Sequence, residues 1–146
     1  MDKCTLVGKT AQGNSPVEGW LTGGNITLLA SLVGTGYLPS WQGAIVVFED
    51  VGEAPYRLDR ELLQLYQSGA FDGVEGVVLG QFTDCTGKDA EDLAEDRVIR
   101  FLRSYLQIPI IYSVAVGHGD DSRSVTFGLS GRLDPVKSTL EVSLGT

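Results

Sequence analysis

Apolar positions along the chain fall into alternating blocks of two kinds. Ala44-Ile45-Val46-Val47-Phe48 and Gly76 to Phe82 are short continuous runs, the pattern of strands buried on both faces. A third such run, Ile110 to Val116, opens after Pro109. Between them apolar residues recur at helical spacing. Leu58, Leu62, Leu65 and Tyr66 form the buried stripe of a helix that starts near Pro55 and ends at Gly69. Ala94, Val98, Phe101, Leu102 and Tyr105 predict a longer helix from about Asp89 to Leu106. A shorter helix covers Ile26 to Val33, with Asn25 as N-cap and Gly34 as the C′ residue.

The ends of the chain read differently. Cys4 to Val7 is a short strand and Thr10 to Pro16 a polar loop; Gly36 to Gly43 is a turn that carries Pro39 and a packing Trp41. After Gly117-His118-Gly119-Asp120-Asp121 the pattern changes to alternation in Ser124 to Leu129 and Leu140 to Leu144, with Arg132-Leu133-Asp134-Pro135 as turn chemistry between two antiparallel strands. The fold class is therefore α/β: a mixed sheet with parallel strand–helix units in the middle and a C-terminal antiparallel part. No internal repeat or low-complexity segment is present.

Composition narrows the function classes. A chain of 146 residues, 42% apolar and 21% charged, fits one domain with an ordinary core. The formal charge of −8, with 11 scattered Lys and Arg, argues against nucleic acid as a partner. The loose group Arg97, Arg100 and Arg103 reads as a solvated helix face. No apolar run reaches the ~20 residues needed to span a bilayer, and Met1-Asp2-Lys3-Cys4 has no signal-peptide pattern. Cys4 and Cys85 make neither a disulfide framework nor a metal site, so a reducing cytoplasm is the expected compartment.

Two positions carry candidate chemistry. Glu49 closes the buried run Ala44 to Phe48, where a carboxylate is held rigidly at the carboxyl end of a strand. Asp50 and Glu53 lie close by, and at least one of the three carboxylates is expected to cap the helix near Pro55. His118, the single histidine, follows the run Ile110 to Val116 between two glycines. An acid and an imidazole at two strand ends are two members of a hydrolytic triad, in which the acid fixes the histidine tautomer and the histidine activates a hydroxyl. No nucleophile is equally marked. Ser122 and Ser124 are near His118 in sequence but on no nucleophile elbow, and Cys85 has no adjacent base. Gly23-Gly24-Asn25 and Gly34-Thr35-Gly36 match neither the P-loop nor the dinucleotide fingerprint and read as turn and cap glycines. A non-catalytic binding or structural module remains the alternative.

The segment Phe48-Glu49-Asp50-Val51-Gly52-Glu53-Ala54-Pro55-Tyr56-Arg57-Leu58-Asp59-Arg60, together with Gly23-Gly24-Asn25, Leu32 to Pro39, Gly76 to Gly80 and Gly117-His118, resembles the LD-carboxypeptidases. These muramoyltetrapeptide carboxypeptidases are serine peptidases with a Ser-Glu-His triad. The resemblance covers nearly the whole chain and is to the C-terminal domain alone, residues 1–146. It implies a swivelling β/β/α layered domain, with Glu49 as the triad acid and His118 as the triad base. It also implies a serine supplied by an N-terminal domain that has no counterpart here. The implied substrate is a murein tetrapeptide that loses its terminal D-alanine, with no cofactor or metal and with a homodimer as a possible assembly. Asn25, Tyr56 and Arg57 are candidates for substrate contact. A sister branch that hydrolyses peptide–nucleotide antibiotics shares the acid and the histidine but not the Val51-Gly52-Glu53 to Arg57 continuation, which favours the murein branch. One departure from the family pattern is Thr126, where a proline is expected before Phe127-Gly128.

Overall fold

In the computed structural model, which describes residues 2–144, four parallel strands form the middle of one eight-stranded sheet. They are β3 (Val17–Asn25), β4 (Ala44–Val51), β5 (Gly76–Thr83) and β6 (Ile110–Tyr112). Helices α1 (Ile26–Ser31), α2 (Pro55–Gln67) and α3 (Ala94–Tyr105) lie in the connections between them. The antiparallel strands are β1 (Lys3–Val7), β2 (Lys9–Gln12), β7 (Ser130–Asp134) and β8 (Thr139–Ser143), and the sheet order is β1-β8-β7-β3-β4-β5-β6-β2.

The sheet curls on itself. β1 pairs with β8 at one end of that order and β2 pairs with β6 at the other, yet only Gly8 separates β1 from β2 in sequence. One N-terminal segment thus bridges both ends of the sheet. Gly8 is required where the segment passes between them: a Cβ there would run into the Tyr112 carbonyl and come within 2.8 Å of Val114 Cγ2. The Gly8 N–H donates to the Ser138 carbonyl at 2.9 Å.

Curling gives β4 two apolar faces. Val46 and Phe48 pack toward the helices with Leu58, Leu62, Val98 and Leu102. Ile45 and Val47 face the inside of the curl, against Leu21, Leu133, Leu140 and Val142. The layers run antiparallel strands, parallel strands, helices, which is the β/β/α arrangement and explains why the strand runs are continuously apolar rather than alternating. Trp41, Phe48 and Phe71 meet edge-to-face in the helix-side core, with ring centroids 5.7 to 5.9 Å apart.

Several boundaries differ from those the sequence predicts. The polar segment after Thr10 is not all loop, because residues 9–12 form β2; an edge strand needs no hydrophobic alternation when its main job is to satisfy β6. Gly23-Gly24-Asn25 is no turn but the end of β3, with Gly23 and Gly24 at φ +133° and +137°. The long helix starts at Ala94 rather than near Asp89, and the strand after Pro109 ends at Tyr112, where Ser113 takes φ +56°. The C-terminal hairpin uses Ser130–Asp134 and Thr139–Ser143, so Arg132 to Asp134 are strand rather than turn, and Ser124 to Leu129 is irregular. Tyr66 and Tyr105 keep helical spacing but are not core; they lie against each other at the surface, ring centroids 4.6 Å apart.

Candidate active site

Glu49 sits near the carboxyl end of β4, opposite Asn25 of β3. On its other side the register with β5 slips. Phe48 pairs with Leu79 but Asp50 pairs with Phe82, so two β5 residues, Gly80 and Gln81, stand opposite Glu49. Such a bulge bends the strand and re-aims side chains. His118 comes from the loop that follows β6. Gly117 brings that loop against β4: it has φ +131°, and a Cβ on it would lie 3.2 Å from Glu49 Cβ.

The consequence is a direct contact between the two residues. His118 Nδ1 lies 2.8 Å from Glu49 Oε2. The glutamate side chain is 12% exposed and the imidazole 54% exposed. An ionised carboxylate can only accept, so the contact places a proton on Nδ1 and leaves Nε2 as the basic nitrogen of the neutral ring. Nε2 has no hydrogen-bond partner among the described residues. The arrangement can therefore take a proton at Nε2 while the half-buried carboxylate stabilises the resulting imidazolium.

The histidine loop is braced from within and from β5. Ser122 Oγ donates to the Gly117 carbonyl at 2.8 Å and accepts from the Gly117 N–H at 3.0 Å. The Arg123 N–H donates to the Ala115 carbonyl at 2.7 Å. Gln81, which sequence reasoning does not single out, accepts from the Gly119 N–H at 3.0 Å and donates to Asp121 Oδ1 at 2.6 Å. The only signal for it in the chain is a polar residue near the end of an apolar run.

Of the other acidic residues, neither Asp50 nor Glu53 caps the helix at Pro55 through its side chain; the N-cap there is Ala54, without a side-chain cap bond. Pro55 at N1 already removes one orphan N–H. Asp50, only 2% exposed, instead crosses to the start of α1. It accepts from the Thr27 N–H at 3.0 Å, Thr27 Oγ1 at 2.9 Å, Asn25 Nδ2 at 3.0 Å and the Val51 N–H at 2.8 Å. Asn25 is the N-cap of α1, its Oδ1 accepting from the Leu28 N–H at 3.0 Å, so both ends of its amide are engaged within the protein. Glu53 Oε1 accepts from the Ala54 N–H at 3.1 Å. Glu61 Oε2 lies 3.1 Å from Thr27 Oγ1, and burial, reinforced by Glu53 and Asp50, holds its carboxyl above the usual range. Tyr56 and Arg57 are exposed in the first turn of α2, with Arg57 Nε donating to Tyr56 Oη at 3.3 Å.

No nucleophile is poised against His118 among the described residues. The Ser122 hydroxyl is engaged with Gly117, and burial pushes the Cys85 thiol up while its Sγ donates to the Thr83 carbonyl at 3.4 Å. Thr126 lies in the irregular segment before Gly128, whose N–H donates to the Leu21 carbonyl at 2.8 Å.

Comparison with known proteins adds the family context. Residues 18–133 match the family model described as LD-carboxypeptidase C-terminal domain. The murein tetrapeptide carboxypeptidase of Pseudomonas aeruginosa is 39% identical over 119 residues, covering 81% of this chain and 38% of that protein. A putative carboxypeptidase of Streptomyces coelicolor is 37% identical over 125 residues, covering 84% of this chain and 39% of its own length. The crystal structure of muramoyltetrapeptide carboxypeptidase from Oxalobacter formigenes superposes with a TM-score of 0.84 at 31% identity, over 100% of this chain and 52% of that one. A microcin C7 self-immunity protein superposes with a TM-score of 0.80 at 19% identity, over 94% of this chain and 41% of that one, a likeness of fold alone. The chain thus spans about two fifths of the length of the curated relatives it matches.

Proposed function

The chain belongs to the LD-carboxypeptidase family through its C-terminal domain, and from that premise we propose that it supplies the acid and the base of a serine carboxypeptidase acting on murein tetrapeptide. The observation that carries the reading is the 2.8 Å contact between His118 Nδ1 and Glu49 Oε2, with Nε2 bonded to no other described residue and the ring half exposed. The serine comes from an N-terminal domain, residues 1–146 being the C-terminal one.

In the proposed reaction the serine Oγ loses its proton to His118 Nε2 and attacks the carbonyl carbon between the L-centre of diaminopimelate and D-alanine. Glu49 holds the imidazolium in place. The Nε2 proton then passes to the D-alanine nitrogen as the C–N bond breaks, leaving a seryl ester. A water gives its proton to Nε2, attacks the ester and releases the tripeptide, and the proton returns to the serine. The substrate class follows the 39% identity to a murein tetrapeptide carboxypeptidase, against 19% to the microcin immunity protein. The proposed setting is turnover of murein peptides in the cytoplasm.

Reconstitution tests this. The chain is mixed with a serine-bearing N-terminal half of a family member, and D-alanine release from murein tetrapeptide is followed. Turnover is expected only from the mixture and is lost with His118→Ala. Two halves that demonstrably associate but release no D-alanine would overturn the proposal.

A further inference from the structure

We propose that Gln81 is a positioning residue for His118, a clamp without which the imidazole does not stay on Glu49. The inference rests on the reading of Glu49 and His118 as the acid–base pair and adds to it the group that keeps the pair assembled.

Three hydrogen bonds from this one residue straddle the histidine. The Gln81 N–H donates to the Val116 carbonyl at 2.7 Å, two residues before His118. Its side-chain oxygen accepts from the Gly119 N–H at 3.0 Å, one residue after. Its amide nitrogen donates to Asp121 Oδ1 at 2.6 Å, three residues after. His118 itself makes a single side-chain hydrogen bond, to Glu49, and its ring is 54% exposed. One bond is a weak restraint on an exposed side chain that gains entropy by leaving it. The order of the ring must come from the order of its backbone.

That backbone is free by composition, and the Ser122 hydroxyl braces it on the Gly117 side only. Gly117 and Gly119 flank the histidine, and glycine gains more conformational freedom on release than any other residue. Both glycines are fitted to Gln81. A Cβ at Gly117 would lie 3.3 Å from the Gln81 carbonyl oxygen and 3.4 Å from Gln81 Cβ, and a Cβ at Gly119 would overlap the Gln81 amide. The absence of side chains at both positions therefore lets the loop close on Gln81, and the glutamine replaces the stiffness that two glycines remove.

The β5 bulge puts Gln81 there. Because Gly80 and Gln81 both stand opposite Glu49, the strand is re-aimed at the place where the histidine loop passes. Gly80 also admits the loop, since a Cβ on it would collide with the Val116 carbonyl. The amide group is chemically selected. The Gly119 N–H can only donate and the Asp121 carboxylate can only accept, so the clamp needs one acceptor and one donor. Glutamate at this position would keep the first bond and set two carboxylates against each other in place of the second.

His118 is the only histidine, so its imidazole signals in a ¹⁵N spectrum are assigned without ambiguity. The spectrum of the chain reports the Nδ1–H tautomer and the solvent exchange of that proton, and D-alanine release is measured on the reconstituted enzyme. Gln81→Ala and Gln81→Glu are expected to lose Nδ1–H order, with exchange about ten-fold faster. Turnover is expected to fall about ten-fold at nearly constant KM, because misplacement of the base acts on the reaction rather than on binding. In the double variant Gln81→Glu, Asp121→Asn the asparagine amide donates to the new carboxylate, and both readouts should return to within about three-fold of the parent. An unchanged imidazole spectrum in Gln81→Ala, whatever its melting temperature, overturns the proposal, as does failure of the double variant to recover. If Gln81→Ala does not fold, Gln81→Glu and its rescue by Asp121→Asn decide the matter by the same spectrum. The spectral readout needs no turnover, so an inactive reconstitution would count against the proposed function while leaving this inference to be decided by the spectrum.

Discussion

Gly117 and Glu49 approach so closely that a methyl group on the glycine would rest 3.2 Å from the glutamate Cβ. The residue before the histidine is thus fitted to the residue that the histidine binds. Gly117→Ala adds that contact and forces a side chain onto a backbone at φ +131°. The expected result is a loss of about 1–3 kcal/mol of stability, read by urea unfolding. Turnover in the reconstituted enzyme should fall about a hundred-fold, because the imidazole is displaced from its acid.

Removing the pair itself should separate chemistry from folding. His118→Ala is expected to lower D-alanine release by about 10³–10⁴-fold, with Glu49→Ala costing somewhat less. His118 is largely exposed, so its removal should move stability by no more than about 0.5 kcal/mol. A large loss of stability in His118→Ala, measured by thermal unfolding, would recast the contact as structural.

Asp50 should behave in the opposite way. It is buried and accepts four hydrogen bonds, three of them from Asn25 and Thr27 at the start of α1. Asp50→Ala leaves the Thr27 N–H, the Asn25 amide and the Val51 N–H without that acceptor, while the Thr27 hydroxyl can turn to Glu53 or Glu61, and should cost about 2–4 kcal/mol in urea unfolding. Asp50→Asn retains the shape but sets an amide against donors, and is expected to fall between the two.

Glu61 carries the pH prediction. The Thr27 hydroxyl lies within hydrogen-bond reach of Asp50, Glu53 and Glu61, yet it has one proton to donate. Burial first, then the neighbouring Glu53 and Asp50, raise the Glu61 pKa in the folded state. The native chain therefore binds this proton more tightly than the unfolded chain. The contribution to stability is fully present below the unfolded carboxylate value and is lost as pH rises through the folded one. Glu61→Gln should be more stable than the parent near neutral pH, by about 0.5 kcal/mol given its partial exposure, and the gain should vanish toward acid pH. Unfolding midpoints across that range check it.

The sequence makes β4 and β5 plain, because strands buried between two layers must be apolar throughout, and Val46 and Val47 serve different cores. It also makes Asn25 legible as a cap, since capping is local chemistry. What it hides is non-local. Polar Lys9–Gln12 becomes a strand only because β6 needs a partner. Tyr66 and Tyr105 keep a core period but satisfy it against each other. The candidate site divides along the same line. Glu49 is visible at the end of its strand and His118 as the one histidine, set between two glycines in the loop after β6, and the family resemblance agrees with the fold found. The bulge that presents Gln81 depends on register between strands, and the target of Asp50 depends on where α1 starts; neither is encoded in the neighbouring residues.

Closure of the sheet through Gly8 has a cost when it fails. If the segment 3–12 peels away, β8 and β6 each lose one of their two partners, and each presents a free edge of bare N–H and C=O groups to other molecules. Aggregation of this protein is therefore expected to start from its first dozen residues, and a bulky substitution at Gly8 should promote it long before the helices unfold.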